Sequence, residues 1–250
     1  MRGALDSGWV FWQTEPMPHR KGRPHRRTRC AVFALAGVLA FHPGVAAAQV
    51  SGRVTVLEVR GRVAADISTA VVYLEGRVPR AAALPRAQVA IDGRQFRPRV
   101  LVVPTGTTVQ FQNHDPFNHN VFSLSEPSAF DLGLYGRGET RTRRFTRTGL
   151  VRVYCNVHPR MSAFILVRDN PWYTQPGPDG VYAIPEVPPG RYVLHVWHER
   201  VAAETTREIE VPAGGLAGLA DTLDASGYRW IQHANKYGKD YESGGARERY

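Results

Sequence analysis

The sequence predicts an all-β protein. Three observations lead there. Apolar residues at helical spacing are hard to find, while Val and Thr are plentiful and 24 Gly and 18 Pro punctuate the chain. Short segments alternate apolar and polar residues, as in Thr107 to Gln112 and Tyr192 to Trp197. Turn sequences separate them, among them Asp92-Gly93, Asp179-Gly180 and Pro188-Pro189-Gly190. At 250 residues the chain is long enough for one or two domains with cores of their own.

Residues 1–48 read as a signal peptide. His19 to Arg29 is strongly basic, and Cys30 to Phe41 is an unbroken apolar run. His42-Pro43-Gly44 then breaks the pattern, and Ala46-Ala47-Ala48 offers small residues for cleavage. Met17 is a candidate start of translation. The apolar run is too short to span a bilayer comfortably, so no stable membrane insertion is expected after cleavage. An uncleaved anchor is the alternative. Export implies the periplasm or an equivalent extracytoplasmic space.

The charge agrees. Residues 1–48 hold seven Lys/Arg and two Asp/Glu, so the remainder keeps only +5 of the formal +10. With no basic-aromatic constellation, nucleic acid is not an expected partner.

Of the two cysteines, Cys30 lies in the signal, so the exported chain keeps only Cys155. No intramolecular disulfide is then possible. A lone cysteine in an exported protein is a buried inert thiol, an intermolecular partner or a metal ligand.

Beyond the signal, Val50 to Val59 and Ala70 to Glu75 look like strands, and Val78 to Arg86 is a Pro/Ala/Arg linker. A dense series follows: Gln88 to Ile91, Arg99 to Val103, Thr107 to Gln112, Asn120 to Leu124, Thr140 to Thr146, Leu150 to Tyr154 and Ala163 to Val167. That many short strands within 86–168 predicts a Greek-key sandwich. After Asn170-Pro171 come Val181 to Ile184, Tyr192 to Trp197 and, as its partner, Thr205 to Val211. Residues 223–250 are polar and read as a surface tail, with His233 solvated.

The chemistry concentrates in Tyr154-Cys155-Asn156-Val157-His158-Pro159-Arg160-Met161. A thiolate, an imidazole and a thioether fall within seven residues, in the order Cys-x-x-His-x-x-Met. Upstream, His119 opens a strand. Two His and one Cys with a weak axial Met make an electron-transfer copper site. Thiolate stabilises Cu(I), and imidazole suits both oxidation states. Zinc has little use for the thioether of Met161. A catalytic cysteine would need electropositive activation and an oxyanion site, and neither is evident. Taken singly, His119 reads as a strand-end histidine and Met161 as core filler. His114 reads as a surface residue, and His195 and His198 fall on opposite faces of a strand.

These residues resemble the cupredoxins, the superfamily of plastocyanin and azurin. The spacing is most similar to the amicyanin type. The resemblance runs from about Gln88 to Val167 and includes Phe96-x-Pro98, Val102-Val103-Pro104-x-Gly106-x-x-Val109-x-Phe111-x-Asn113 and His119-Asn120-Val121. It implies one type 1 copper held by His119, Cys155, His158 and Met161, with the Asn120 main-chain N–H on the thiolate. The segments 115–118 and 125–137 look like longer loops than a minimal cupredoxin needs. The region Asp179-Gly180-x-Tyr182-x-Ile184-x-x-Val187-Pro188-Pro189-Gly190-x-Tyr192-x-Leu194 resembles the prealbumin-like regulatory domain of carboxypeptidases. It covers only half of such a domain, and Gly52-x-Val54 with Ala70 to Leu74 resemble the other half. The expected organisation is therefore a Greek-key cupredoxin sandwich (86–168) inserted into a small prealbumin-like β-sandwich (51–78 with 171–222).

The expected function is single-electron transfer between redox partners such as a cytochrome or a dehydrogenase, without enzymatic activity. Storage, delivery or sensing of copper is the alternative, as is a binding or assembly module with a structural copper site. Met- or His-rich tracts, common in storage proteins, are absent from the sequence.

Overall fold

The computed structural model describes residues 48–76 and 86–241. The signal peptide, the Met17 start, Cys30, most of the linker and the last nine residues of the tail lie outside the described residues.

In chain order the strands are β1 (Ala48–Leu57), β2 (Val71–Glu75), β3 (Ala87–Asp92), β4 (Gln95–Arg97), β5 (Val100–Pro104), β6 (Thr108–Asn113), β7 (His119–Ser123) and β8 (Phe130–Tyr135). They continue as β9 (Thr140–Arg144), β10 (Gly149–Cys155), β11 (Ser162–Arg168), β12 (Tyr173–Thr174), β13 (Val181–Val187), β14 (Gly190–Trp197), β15 (Thr205–Val211) and β16 (Leu216–Asp224). No α-helix occurs among the described residues, and no described helix is long and apolar enough to cross a membrane.

Two cores organise these strands. The first is built from both ends of the described chain. Sheet β13-β1-β16 and sheet β12-β2-β14-β15 enclose Val54, Val72, Leu74, Ile184, Leu194 and Leu223. Strand β1 runs antiparallel to β13, with Gly52 opposite Tyr182, and parallel to β16. Strand β2 pairs with β14, with Leu74 opposite Leu194. Asp179-Gly180 turns where the chain runs against β1. Gly180 has φ +84°, and a Cβ there would lie 2.1 Å from the Val54 carbonyl oxygen, so only glycine fits.

The second core belongs to 87–168. Sheet β4-β3-β6-β9 faces sheet β5-β11-β10-β7-β8. Strand β6 has the period of two that the sequence predicts: Val109, Phe111 and Asn113 point inward and are fully buried. Val109 and Phe111 meet Val89, Ile91, Val121, Val153, Cys155 and Ile165.

A third cluster joins the sandwiches. Val71 and Tyr73 of β2, Val100 and Val102 of β5, Leu166 of β11 and Trp197 of β14 bury their side chains together. Strands β2 and β11 are thus apolar on both faces, which explains why they read as nearly continuous apolar runs. Arg99 reinforces the junction. Its Nε donates to both Glu199 oxygens (2.7 and 2.8 Å), and its Nη1 donates to the Ser162 carbonyl (3.1 Å).

Two expectations change. The stretch 125–137, read as a long loop, contains the edge strand β8, which pairs with β7 around a register shift. Gly133 at φ +73° and alternate inward residues obscured its period. Residues 216–224 also form a strand, so β16 extends past the boundary read at 222.

Candidate metal centre

His119 is the first residue of β7 and Cys155 the last of β10. The strands are antiparallel neighbours, with Cys155 opposite Val121. Residues two apart on a strand share a face, so His119, Val121 and Cys155 all point into the second core. Strand β10 turns back into β11, with Tyr154 opposite Ser162. The intervening loop is closed by main-chain bonds from Cys155 N–H to Met161 O (3.3 Å) and from Met161 N–H to His158 O (2.9 Å). That turn brings the His158 ring back over Cys155 and leaves Met161 buried in the same core.

The donor atoms converge. Cys155 Sγ lies 3.5 Å from His119 Nδ1 and 3.6 Å from His158 Nδ1. The three ligating atoms all fall within 4.8 Å of one another, and all three residues are buried. Atoms bound to one metal at about 2.0–2.3 Å sit at this mutual spacing, so the set fits a single ion. Among the described residues it is the one His/Cys/carboxylate cluster with that geometry.

Burial and main-chain amides pull the thiol in opposite directions. Burial pushes the Cys155 thiol up, against the main-chain N–H groups of Asn120, Val157 and His158, which favour the thiolate. A bound cation would settle that conflict on the side of the thiolate. Without one, a buried thiol faces two buried imidazoles.

His119 is fixed from behind. Its Nε2 lies 2.8 Å from Asp115 Oδ2, so it is protonated there and turns its Nδ1 lone pair toward the sulfur. Burial pushes the His119 imidazole down, opposed by Asp115. Burial also pushes the Asp115 carboxyl up, but the N–H groups of Arg94 and Gly93 and the His119 ring together hold it below the usual range. Those two amides belong to the β3–β4 hairpin. Asp92 pairs with Gln95, and Gly93 and Arg94 have φ +61° and +58°, the conformation of a type I′ turn. The turn presents its N–H groups to Asp115 at 2.8 and 2.9 Å. Asn113 completes the loop by accepting from Asp115 N–H and donating to the Phe117 and Tyr135 carbonyls.

Phe117 covers the outside of the pair of imidazoles, 5.2 Å from His119 and 5.5 Å from His158. His119 is fully buried, whereas His158 retains 8% exposure. Val157 and Arg160 beside it are exposed.

The expected site residues His119, Cys155 and His158 therefore meet, with Met161 buried beside them. Asp115 was missed. The Asn113-His114-Asp115-Pro116 stretch drew attention to His114, which is exposed. The usable signal was a carboxylate four residues before His119. His195 and His198 take no part. His195 sits between Glu75 (3.0 Å) and Glu204 (3.1 Å), and His198 lies against Thr69 (3.1 Å). His233, expected in solvent, is half-buried and stacks on Tyr154.

No protein-family model matches the chain, and no curated protein sequence does. Solved structures do. A Cu-containing nitrite reductase from Thermus scotoductus is 30% identical over 39% of this chain and 25% of that one, with a TM-score of 0.33. The match thus spans a quarter of the reductase. A purple cupredoxin from Nitrosopumilus maritimus is 26% identical over 33% of this chain and 99% of its own, with a TM-score of 0.30. A copper(I) amicyanin variant is 22% identical over 34% and 83%, with a TM-score of 0.32. The strand order of the two facing sheets, and a His-Cys-His cluster where β7 and β10 end, give residues 87–168 the cupredoxin fold, with a site that resembles a blue-copper centre.

Proposed function

We propose that this is an exported type 1 copper protein that carries single electrons, and that His119, Cys155, His158 and Met161 would hold the copper. The observation that carries the reading is the convergence of one buried thiol and two Nδ1 atoms at 3.5 and 3.6 Å. Copper, when bound, supplies the change of oxidation state. Soft thiolate and thioether donors favour it over zinc.

The chain's own residues do the rest. Cys155 provides the thiolate, held by three main-chain N–H groups. Asp115 keeps His119 in one tautomer. Phe117 packs against both imidazoles. His158, at the rim, gives a partner its nearest approach. Val157, Pro159 and Phe117 make this edge apolar, and Arg160 adds positive charge. A small apolar edge suits brief redox docking, and the charge favours an acidic partner such as a cytochrome or a dehydrogenase.

We read the sandwich of β1, β2 and β12–β16 as a prealbumin-like scaffold split by the copper domain. Its support is the pairing of β1 with β13 and of β2 with β14. The protein is not read as an enzyme, because catalysis at copper with nitrite or oxygen calls for further metal held by clustered histidines. Copper storage or delivery is the second reading. Its support is the burial of the donors, which slows release of the metal and so suits storage more than delivery. An optical and electron-paramagnetic spectrum of the copper-loaded protein, with a redox titration, separates these readings. Reversible one-electron cycling supports electron transfer. Metal that binds without cycling supports storage.

A further inference from the structure

Strand β7 buries all five of its residues, although only one of its faces looks into its sandwich. His119 and Val121 point inward. Asn120 and Phe122 point outward, yet they are 3% and 0% exposed. The chain beyond β16 covers them. The His233 ring stacks on Tyr154 at 4.2 Å with a 19° tilt and lies 5.9 Å from Phe122. Two residues on, the segment folds into a turn. Asn235 Oδ1 accepts from the N–H groups of Tyr237 and Lys239, and Asn235 N–H donates to the Lys239 carbonyl (2.7 Å). This turn presents Lys236 to the metal loop.

Lys236 closes a ring of hydrogen bonds. Its main-chain N–H donates to Asn156 Oδ1 (2.9 Å). Asn156 N–H donates to the Asn120 carbonyl (3.2 Å). Asn120 Nδ2 donates to Asp131 Oδ1 (2.6 Å), and Lys236 Nζ donates to Asp131 Oδ2 (2.8 Å). The ring ties the residue after His119 to the residue after Cys155. Beyond it, the Tyr241 hydroxyl donates to the Cys155 carbonyl (3.3 Å).

We propose that residues 226–241 are a strap that fixes the spacing between the two ligand-bearing elements and so keeps the core around Cys155 closed, with Lys236 as its positioning residue. The strap bears, from the outer face, on both strands that flank the sulfur. Asn120, whose main-chain N–H faces the thiolate, is held through its side chain and its carbonyl, and the Cys155–Asn156 segment is held through Asn156 and Tyr241. Preorganised ligands bind metal more tightly and release it more slowly, since their ordering cost is met before the metal arrives. Polar residues thus serve as part of a metal centre that their own sequence gives no sign of.

The closure part of the proposal needs no metal; the retention part rests on the copper reading. The test compares the full chain with a chain ending at Gly227 and with Lys236→Met, His233→Ala and Ile231→Ser. Ile231 is 81% exposed and serves as the control. In metal-free protein, alkylation of Cys155 by iodoacetamide is followed by peptide mass spectrometry. In copper-loaded protein, transfer of Cu(I) to a chelator and the electron-paramagnetic spectrum are followed. The truncated chain should be alkylated about tenfold faster and lose copper about tenfold faster, the scale of losing a partner of a metal ligand. Lys236→Met should change each rate about threefold, the scale of an exposed ion pair, and alter the copper spectrum, which a loss of stability alone leaves unmoved. Ile231→Ser should match the wild type. Equal alkylation and transfer rates in the wild type, Lys236→Met and His233→Ala overturn the strap, whether or not the truncated chain folds. Faster alkylation in the variants of a protein that never binds copper supports the closing strap and overturns the copper reading instead.

Discussion

His119 Nε2 donates to the Asp115 carboxylate at 2.8 Å, and Asp115 is itself held by two amides of the β3–β4 turn. A proposed ligand, a carboxylate and a hairpin turn thus form one chain of contacts. Asp115→Asn keeps the shape and an acceptor but removes the charge. It should weaken Cu(II) binding about 10-fold to 100-fold and raise the reduction potential, because the lost negative charge favoured the more highly charged ion. A competition assay and a redox titration check both. An unchanged potential would show that the carboxylate only orients the ring.

Met161 is buried beside Cys155 and contributes a weak donor in the proposed site. Met161→Gln should keep copper but lower the potential, since a stronger axial oxygen favours Cu(II). The same titration tests it. A rise in potential, or no change, would place Met161 outside the coordination sphere.

Phe117 and Pro159 lie beside His158, the less deeply buried of the two clustered imidazoles. Replacing either with Glu should slow electron exchange with an acidic partner while leaving the visible spectrum nearly intact. The loss should shrink as salt is added, because the new repulsion is screened. Stopped-flow mixing at several ionic strengths measures this. Exchange that is equally fast in both variants would move the docking edge elsewhere.

How much of this could be read from the residues depends on how local the cause is. The order Cys155-x-x-His158-x-x-Met161 declares itself, because one loop holds three donors of different softness. Strand β6 declares itself through Val109, Phe111 and Asn113. Asp115 does not, because its role depends on amides 21 and 22 residues away. Strand β8 hides behind a register shift and Gly133. Strand β16 hides because its partner β1 lies far back along the chain, and only Asp221 and Leu223 of its residues are buried. The segment 226–241 looks solvated because its partners Tyr154, Asn156 and Asp131 all belong to the other sandwich.

The first sandwich has its own pH dependence. His198 is fully buried, accepts from Arg200 N–H at Nδ1 and pairs with Thr69 through Nε2. Burial, with Arg200 next, pushes its pKa down to about 4 from an ordinary 6.5. A lowered pKa stabilises the fold above the unfolded value, and that stability is lost as pH falls from about 6.5 through about 4. The shift corresponds to roughly 3 kcal/mol at most. Urea titrations at pH 7 and pH 4.5 should show a larger loss in the wild type than in His198→Gln. Equal losses in the two proteins would contradict a neutral buried His198.

The most direct test of the copper assignment is the visible and electron-paramagnetic spectrum of the protein loaded with copper, taken beside Cys155→Ser. The wild type should bind one copper per chain, show an intense thiolate-to-copper band when oxidised, and lose and regain that band on one-electron reduction and reoxidation. Cys155→Ser should lose the band and bind Cu(I) far more weakly, because serine offers no soft donor. A full-strength band in Cys155→Ser, or a wild type that takes up no copper, would contradict the account.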